Sequence, residues 1–395
     1  MKPLKAYLNL LLYRLNRFLR CSVINNYPLI AFVDPTTFCN LSCPACPTGV
    51  RAGVRTSAVM EMNLYRAFID EVGDYLFKLY LYNLGEPLLH KEAPEMVAYA
   101  KEKDIFVMIS TNFSRDYSED YLERLVSSGL DVLVVALDGT KEESYRQYRR
   151  GGNFSLVRKN MLRIQEIKTK LKAKTPQVVW QFLVFSHNDG EIEEVKRVYR
   201  EWGADDYWIG GGFLPPNAYR EGFSSSRLVS FNLYDPRNFV TCNTQKIFAE
   251  KKPCTWLYGA VVLSPNGMLS PCCYTPAEKD DFAKYEKGDF MKAWNSPRYV
   301  KARELFASGE IFSSQDDLKT VLCRQNGRGL EAIQGLKEGE LICHVCPVPY
   351  LQDLVEQELK WDDASLLHYL KKETTLSPEE SEMLDSALRF FKNEI

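Results

Sequence analysis

From residue 29 onward the chain alternates short, nearly unbroken apolar runs with longer stretches in which apolar residues return every three or four positions. The first pattern belongs to strands buried on both faces, the second to amphipathic helices. Their alternation predicts an α/β fold with a parallel sheet and helical crossovers. Strands are expected over 29–33, 79–83, 105–110, 132–137, 178–185 and 207–209, and helices over 63–75, 92–103, 118–128, 154–171 and 191–202. Six such steps fall short of the eight that close a full barrel, so the pattern predicts a TIM-like partial (β/α)6 barrel, open on one side. The pattern then breaks. Residues 214–250, with Pro215, Pro216, a run of Ser224, Ser225 and Ser226, and Pro236, read as a linker. Residues 251–350 are short strands, turns and cysteines, with a hairpin over 261–270 turning at Asn266-Gly267. Residues 351–395 are helical again, and Ser377-Pro378-Glu379-Glu380 is a well-formed helix start. The expected organisation is 1–28, barrel 29–213, linker 214–250, cysteine-rich domain 251–350 and helical tail 351–395.

Before the barrel, Leu4, Leu8, Leu11, Leu15 and Leu19 recur at helical spacing among Lys2, Lys5, Arg14, Arg17 and Arg20. The run is too short to span a bilayer, and no small-residue cleavage site follows it. A basic amphipathic helix of this kind has two uses: peripheral contact with an anionic membrane through residues 1–20, or packing against its own barrel or a partner.

Composition narrows the class. Apolar residues make up 45% of the 395, which is globular, and the net charge of −2 gives no reason to expect nucleic acid as a partner. Cysteine departs from the ordinary: there are 11, an odd number, clustered at metal-ligand spacings and without a cleavable signal. Iron–sulfur ligation in a reducing cytoplasm, at most peripheral to the membrane, fits better than a disulfide framework.

Cys39-Asn40-Leu41-Ser42-Cys43-Pro44-Ala45-Cys46 follows the first strand directly. Three thiolates can hold three irons of a 4Fe-4S cluster and leave the fourth open. Structural zinc requires four closed ligands, and no nearby Cys or His supplies the fourth. This CxxxCxxC loop, at that station of a β/α barrel, resembles the radical S-adenosylmethionine (SAM) superfamily. The resemblance covers 29–210 and 251–350. It implies that Gly85-Glu86-Pro87, after the second strand, corresponds to the family's GGEP-type turn, with Leu84 where the first glycine usually stands. It implies SAM contacts from Ser110 and Asn112 at the end of the third strand, from Asp138 in the "LDG" segment Leu137-Asp138-Gly139, and from Arg149, with Arg150 as a competing choice. Asn188, after the fifth strand, is either a SAM contact or a turn residue. The implied chemistry is one-electron cleavage of SAM to methionine and a 5′-deoxyadenosyl radical, which takes hydrogen from a substrate carbon.

A second set, Cys254, Cys272, Cys343 and Cys346, has spacing that by itself suits zinc. Behind such a barrel it resembles the SPASM or shorter twitch domain, as do Trp294-Asn295-Ser296 and Arg303. Its spacing is similar to twitch-type alcohol dehydrogenases of aminocyclitol biosynthesis. With no cysteine beyond Cys346, the resemblance implies one auxiliary 4Fe-4S cluster on those four ligands. Cys242, Cys273 and Cys323 are left over. Cys242, between barrel and cysteine-rich domain, is the candidate hydrogen-atom donor for an epimerase reaction.

The expected activity is oxidation or epimerisation of a small or lipid-linked, sugar- or cyclitol-like substrate. A flavodoxin- or ferredoxin-like protein is expected to supply the electron. Two alternatives stand beside it: modification of a peptide, and a non-catalytic role as an iron–sulfur electron carrier or zinc-stabilised scaffold.

Overall fold

The computed structural model describes residues 2–50, 55–212, 222–231, 253–273 and 275–308. Six parallel strands form the expected barrel wall: β1 (Ile30–Val33), β2 (Lys78–Tyr80), β3 (Phe106–Thr111), β4 (Val132–Ala136), β5 (Gln177–Val184) and β6 (Asp206–Gly211). They lie in sequence order, each paired in parallel with the next. Between them run α2 (Met62–Val72), α3 (Ala93–Lys101), α4 (Glu119–Ser127), α6 (Phe154–Leu171) and α7 (Ile192–Val198). A short α5 (Glu142–Tyr148), which the periodicity does not reveal, precedes α6. It presents only seven residues, too few for a period to emerge.

Helix ends form where the side chains permit. Ser118 accepts from Tyr121 N–H at the start of α4, and Asn153 accepts from Leu156 N–H at the start of α6. Along β3 and β5, half-buried residues alternate with fully buried ones. Val107, Ile109, Trp180 and Phe182 lie under the helices, while Met108, Ser110, Gln181 and Leu183 face the barrel interior.

The expected hairpin is β7 (Ala260–Leu263) and β8 (Met268–Ser270), with Gly267 at φ +82 in the turn. Its placement was not legible in the sequence. β7 pairs in parallel with β1, Ile30 with Ala260 through Val33 with Leu263. The cysteine-rich region therefore continues the barrel sheet to nine strands among the described residues, in the order β6-β5-β4-β3-β2-β1-β7-β8-β9, with β9 at Ala283–Lys284. Every residue of β1 and β7 is buried, so each supplies the other with both ladder partners and apolar cover.

Three short helices complete this region: α8 (Trp256–Gly259), α9 (Phe290–Trp294) and α10 (Pro297–Ser308). Arg303 of α10 is fully buried. It donates to the carbonyls of Leu257 (2.9 Å), Ser22 (3.1 Å) and Trp294 (2.9 Å) and to Asn295 Oδ1 (3.1 Å), and lies over the rings of Trp294, Tyr299 and Tyr258. Asn295 also exchanges hydrogen bonds with Ile24, and Trp294 Nε1 donates to Asn26 O. The Trp-Asn-Ser segment singled out in the sequence thus fastens residues 22–26 to the accessory region.

The N-terminal helix α1 (Leu4–Phe18) packs on its own protein. Tyr7, Leu8, Leu10, Leu11 and Tyr13 are buried, Asn9 exchanges hydrogen bonds with the backbone of Tyr27, and Tyr7 meets Phe77 edge-on. Most of the apolar face expected to meet a membrane is thereby taken up. Phe18, Leu19 and Val23, at its far end, remain exposed. Among the described residues no helix is long and apolar enough to cross a membrane.

Part of the expected linker is fastened as well. Ser225 bridges Phe185, Ser186 N–H donates to Ser224 O (3.1 Å), and Arg227 pairs with Asp189 (2.5 Å). The tail 351–395 lies outside the described residues. Replacing Arg303 with leucine leaves three buried carbonyls without their donor. Urea unfolding followed by tryptophan fluorescence is expected to show a loss of about 3 kcal/mol, against less than about 0.5 kcal/mol for a surface change such as Arg146→Leu.

Candidate active site at the barrel mouth

The chain leaves β1 through Asp34 and returns antiparallel to its own exit. Thr37 N–H donates to Ala58 O (3.0 Å), Met60 N–H to Pro35 O (2.8 Å), and Thr36 bridges Val59. The three cysteines sit on the loop held at this neck. Cys46 N–H donates to Cys43 O (3.2 Å) and Leu41 N–H to Cys39 Sγ (3.4 Å). Gly49 packs so tightly on Cys43 that a Cβ there would stand 2.4 Å from its carbonyl oxygen. Cys43 is buried, Cys39 and Cys46 half-buried. Burial pushes the Cys39 thiol up to about 12, and Glu86, Cys43 and Cys46 add to the effect.

Three thiols on one CxxxCxxC loop, each acting electrostatically on the others, carry the donor chemistry of an iron–sulfur cluster, while among the described residues no three Cys, His, Asp or Glu side chains converge as on a single metal ion. His90 is not available to them, being committed to Met60 O (2.9 Å) and Glu92 N–H (3.1 Å). The residues present therefore fit a cluster bound through Cys39, Cys43 and Cys46.

The turn after β2 is built against this loop. A Cβ on Gly85 would stand 1.7 Å from Thr36 O, so only glycine permits the approach. Glu86 N–H donates to Phe38 O (2.7 Å), and Thr48 Oγ1 donates to Leu84 O (2.6 Å). From beneath, the fully buried Asp34 carboxylate accepts from Leu84 N–H (3.2 Å) and Gly85 N–H (3.3 Å). Burial raises the Asp34 carboxyl to about 7, against the pull of those amides and of Arg55.

Glu86 points away from the mouth. Its carboxylate accepts from Thr111 Oγ1 (2.6 Å), Asn112 N–H (2.7 Å) and Leu88 N–H (3.1 Å), which locks the β2 turn to the end of β3. Pro87 opens the buried turn Pro87–Leu89. Asn112 reaches the cysteine loop, with Nδ2 at 2.9 Å from Asn40 Oδ1 and 3.7 Å from Cys39 Sγ. Ser110 lies one step lower, half-buried on the interior face of β3.

On the opposite side, Asp138 accepts from Arg149 Nε (2.6 Å) and Leu183 N–H (2.7 Å). Arg149 turns inward over the Tyr148 ring, and its charge also acts on the Cys43 thiol. Arg150 turns outward onto Phe223, while its carbonyl accepts from Ser42 N–H (2.9 Å). The two arginines, indistinguishable in sequence, have separate places. Asn188 is committed to backbone: it donates to Asp138 O (3.1 Å) and Leu183 O (2.9 Å) and accepts from Phe185 N–H (2.7 Å). Tyr148, Phe185 and Phe223 pack with Cys43 and Leu41 into a small apolar cluster that covers one flank of the loop.

In the accessory region, Cys254 is buried just ahead of α8 and Cys272 follows β8. Their thiols sense each other, and burial raises Cys254 to about 12. Cys273 beside them is also raised by burial. Cys242, Cys323, Cys343 and Cys346 lie outside the described residues. Sequence reasoning passed over Asp34, Thr111, Asn40 and Arg55. The only signal was position, a carboxylate directly after an apolar strand and the second of two arginines in a loop without acids.

Comparisons with known proteins bear on the whole. The Radical SAM superfamily model matches residues 33–199, and the SPASM model, described as an iron–sulfur cluster-binding domain, matches 254–325. The chain is 22% identical to a PqqA peptide cyclase of Xanthomonas campestris pv. campestris over 66% of its own length and 70% of the cyclase. It is 28% identical to an Fe-coproporphyrin III synthase of Methanosarcina barkeri over 33% of its own length, a match that spans 32% of that relative. A GTP 3′,8-cyclase of Clostridium botulinum is 22% identical over 63% of this chain and 82% of that enzyme. Among solved structures, Streptococcus suis SuiB bound to S-adenosylmethionine superposes with a TM-score of 0.53 at 14% identity, covering 77% of this chain and 72% of SuiB. Native anSMEcpe with bound AdoMet gives 0.51 at 14%, covering 87% and 99%. Both likenesses are of fold.

The Asp34 environment predicts a pH signature. An unfolded aspartate titrates near ~3.9, so a native value of about 7 contributes stability that is present below pH ~4 and lost as pH rises through about 7. Denaturant titrations of wild type and Asp34→Asn should diverge by a few kcal/mol across that window and run parallel above it. Parallel curves throughout would place the Asp34 carboxyl at an ordinary value.

Proposed function

Since the chain belongs to the radical SAM superfamily and carries a SPASM iron–sulfur domain behind its barrel, we propose that it is an oxidative peptide-modifying enzyme whose reacting centre lies at the barrel mouth, beside Cys39, Cys43 and Cys46. When bound, the cluster and SAM supply a 5′-deoxyadenosyl radical, and a flavodoxin- or ferredoxin-like protein supplies the electron. The chain's own residues do the rest. The Gly85 turn offers backbone to the SAM amino group, and Arg149, held by Asp138, offers a cation to its carboxylate. Asn112 orients the loop at Cys39. Tyr148, Phe185 and Phe223 keep water from the cluster flank.

The observation that carries the substrate class is the interior wall. Above Lys78, Phe106 and Asp206, the first residues of β2, β3 and β6 at the barrel floor, the inward-facing strand residues include Tyr80, Met108, Ser110, Val134, Ala136, Gln181, Leu183 and Trp208, all uncharged. At the rim, Asp138 is spent on Arg149 and backbone. Trp208, half-exposed on edge strand β6, lies along the strand because Gly210 has no Cβ to meet its ring. A neutral, aromatic-lined wall suits an uncharged amino-acid side chain better than a phosphate or carboxylate. The similarity to a peptide cyclase over two thirds of both chains agrees with this. The small or lipid-linked, sugar-like substrate remains the second reading, and draws on Ser110 and Gln181 as the hydrogen-bonding groups of the same wall.

Oxidation is favoured over epimerisation by Trp256. It stands two residues after Cys254 and stacks on Phe32 of β1 (5.1 Å, 30°), which sets one candidate auxiliary ligand next to the barrel lining. An auxiliary cluster there is a natural electron acceptor.

Anaerobically reconstituted protein is expected to hold about eight irons, for two 4Fe-4S clusters, and to form 5′-deoxyadenosine from SAM with dithionite. Cys39→Ala should lose roughly half the iron and all SAM cleavage. Zinc in place of iron, or iron without SAM cleavage, would return the scaffold or electron-carrier reading. Trp208→Ala should lower deuterium transfer from a labelled peptide pool into 5′-deoxyadenosine by about tenfold while leaving substrate-free SAM cleavage intact. Transfer from labelled sugars or cyclitols but not peptides would reverse the order of the two substrates.

A further inference from the structure

Arg55 lies on the return arm of the cysteine loop, yet its side chain is 4% exposed and is spent on the accessory region. It grips both oxygens of Asp281 (2.9 and 2.7 Å), itself fully buried, and donates to Ser264 Oγ (3.0 Å), Ser270 Oγ (2.9 Å) and Thr275 O (3.0 Å). Ser264 and Ser270 end the two strands of the hairpin, and Thr275 closes the turn that carries Cys272, through N–H to Cys272 O (3.2 Å) and Oγ1 to Cys272 Sγ (3.5 Å). One residue along, Thr56 N–H donates to Glu278 (2.9 Å).

The grip falls on a seam. Val33 and Leu263 pair at the upper ends of β1 and β7, so Asp34 and Ser264 leave adjacent strands side by side, and Asp34 N–H donates to Leu263 O (3.0 Å). The Arg55 charge acts on Asp34, whose carboxylate holds Leu84 N–H and Gly85 N–H. One guanidinium therefore grips the accessory carboxylate Asp281 and Ser264, the residue beside Asp34 at the seam, and acts through its charge on the strand-end carboxylate under the Gly85 turn. Burying an arginine this deeply is costly unless it is well paired; here both terminal nitrogens find their partners only when the two regions are docked, while Nε–H stays buried without one.

We propose that Arg55 is a positioning residue that couples the turn carrying Cys272 to the Leu84–Gly85 turn, so that the SAM-binding backbone takes its working position only when the accessory region is seated. This rests on the reading of Gly85 as a SAM-binding turn, but the coupling itself can be observed without SAM.

The experiment uses the full chain, with and without reconstituted clusters, as wild type, Arg55→Gln, Arg55→Lys and Asp281→Asn. Amide exchange of segments 81–89 and 264–281 is measured first. Arg55→Gln should raise exchange in both. In the reconstituted protein it should weaken SAM binding by about tenfold, within the usual range for coupled sites. Arg55→Lys keeps the charge beside Asp34 but loses the two-pronged grip, so it should protect 81–89 better than 264–281. Asp281→Asn, which never touches the Gly85 turn, should still raise exchange at 81–89 and weaken SAM. If Arg55→Gln does not fold, Asp281→Asn and Arg55→Lys carry the same comparison. Faster exchange confined to 264–281, with SAM affinity unchanged, would overturn the proposal and leave Arg55 a clamp of the accessory region alone. Linked exchange in a wild-type protein that binds no SAM would uphold the coupling and refute the functional reading.

Discussion

At the C-terminal rim of a parallel barrel the backbone turns away from its ladder, and its amides are left pointing into the mouth without partners. Buried carboxylates answer that constraint here, each at the end of one strand or turn and each reaching to the next. Asp34, after β1, takes two amides of the turn after β2. Glu86, in that turn, takes the Asn112 amide and the Thr111 hydroxyl at the end of β3. Asp138, after β4, takes the Leu183 amide in β5 and holds Arg149 inward. Buried donors left unpaired would each cost about 1–3 kcal/mol, so these acids are structural before they are anything else. They also explain how a loop of three cysteines can be held rigid with so little regular structure of its own.

The same constraint separates what could be read in the sequence from what could not. Strand and helix periods, the cysteine spacing and the Gly-Glu-Pro turn are local in the chain, and each has a local physical cause. The roles of Asp34 and Arg55 are not local. Their partners lie 50 to 51 and 209 to 226 residues away, and neither residue type announces burial. Glu86 shows the same limit from the other side. Its motif was legible, but its carboxylate faces β3, so the part of the motif turned to the mouth is backbone. For Asn188 and the pair Arg149 and Arg150, likewise, the place of each in the fold follows only from the contacts each residue completes.

The boundary drawn in the sequence between barrel and cysteine-rich region is a boundary in composition, while the sheet runs through it. β1 would otherwise present an unpaired edge at the strand that launches the cysteine loop. With β7 beside it, that strand is central, and the loop springs from the middle of a nine-stranded sheet. The N-terminal segment is bound into the same arrangement by Arg303 and Asn295, which require both partners to be present. Of the two uses expected for the N-terminal helix, packing on its own protein is the one seen here, with Tyr7, Leu8, Leu10, Leu11 and Tyr13 buried.

Charge is distributed accordingly. It is concentrated at the rim and the seam, where every buried ion has a partner or several amides, and it is absent from the described interior wall above the floor. A reactive carbon-centred radical is best held away from weak X–H bonds that would give up a hydrogen atom, and away from competing reactants. Val134, Ala136 and Leu183 give that wall apolar surface beside the uncharged Ser110 and Gln181, beneath a rim of satisfied carboxylates. The ionic work of building the mouth is done at the rim and the seam, which leaves the inward-facing strand residues named above free of charge above the floor.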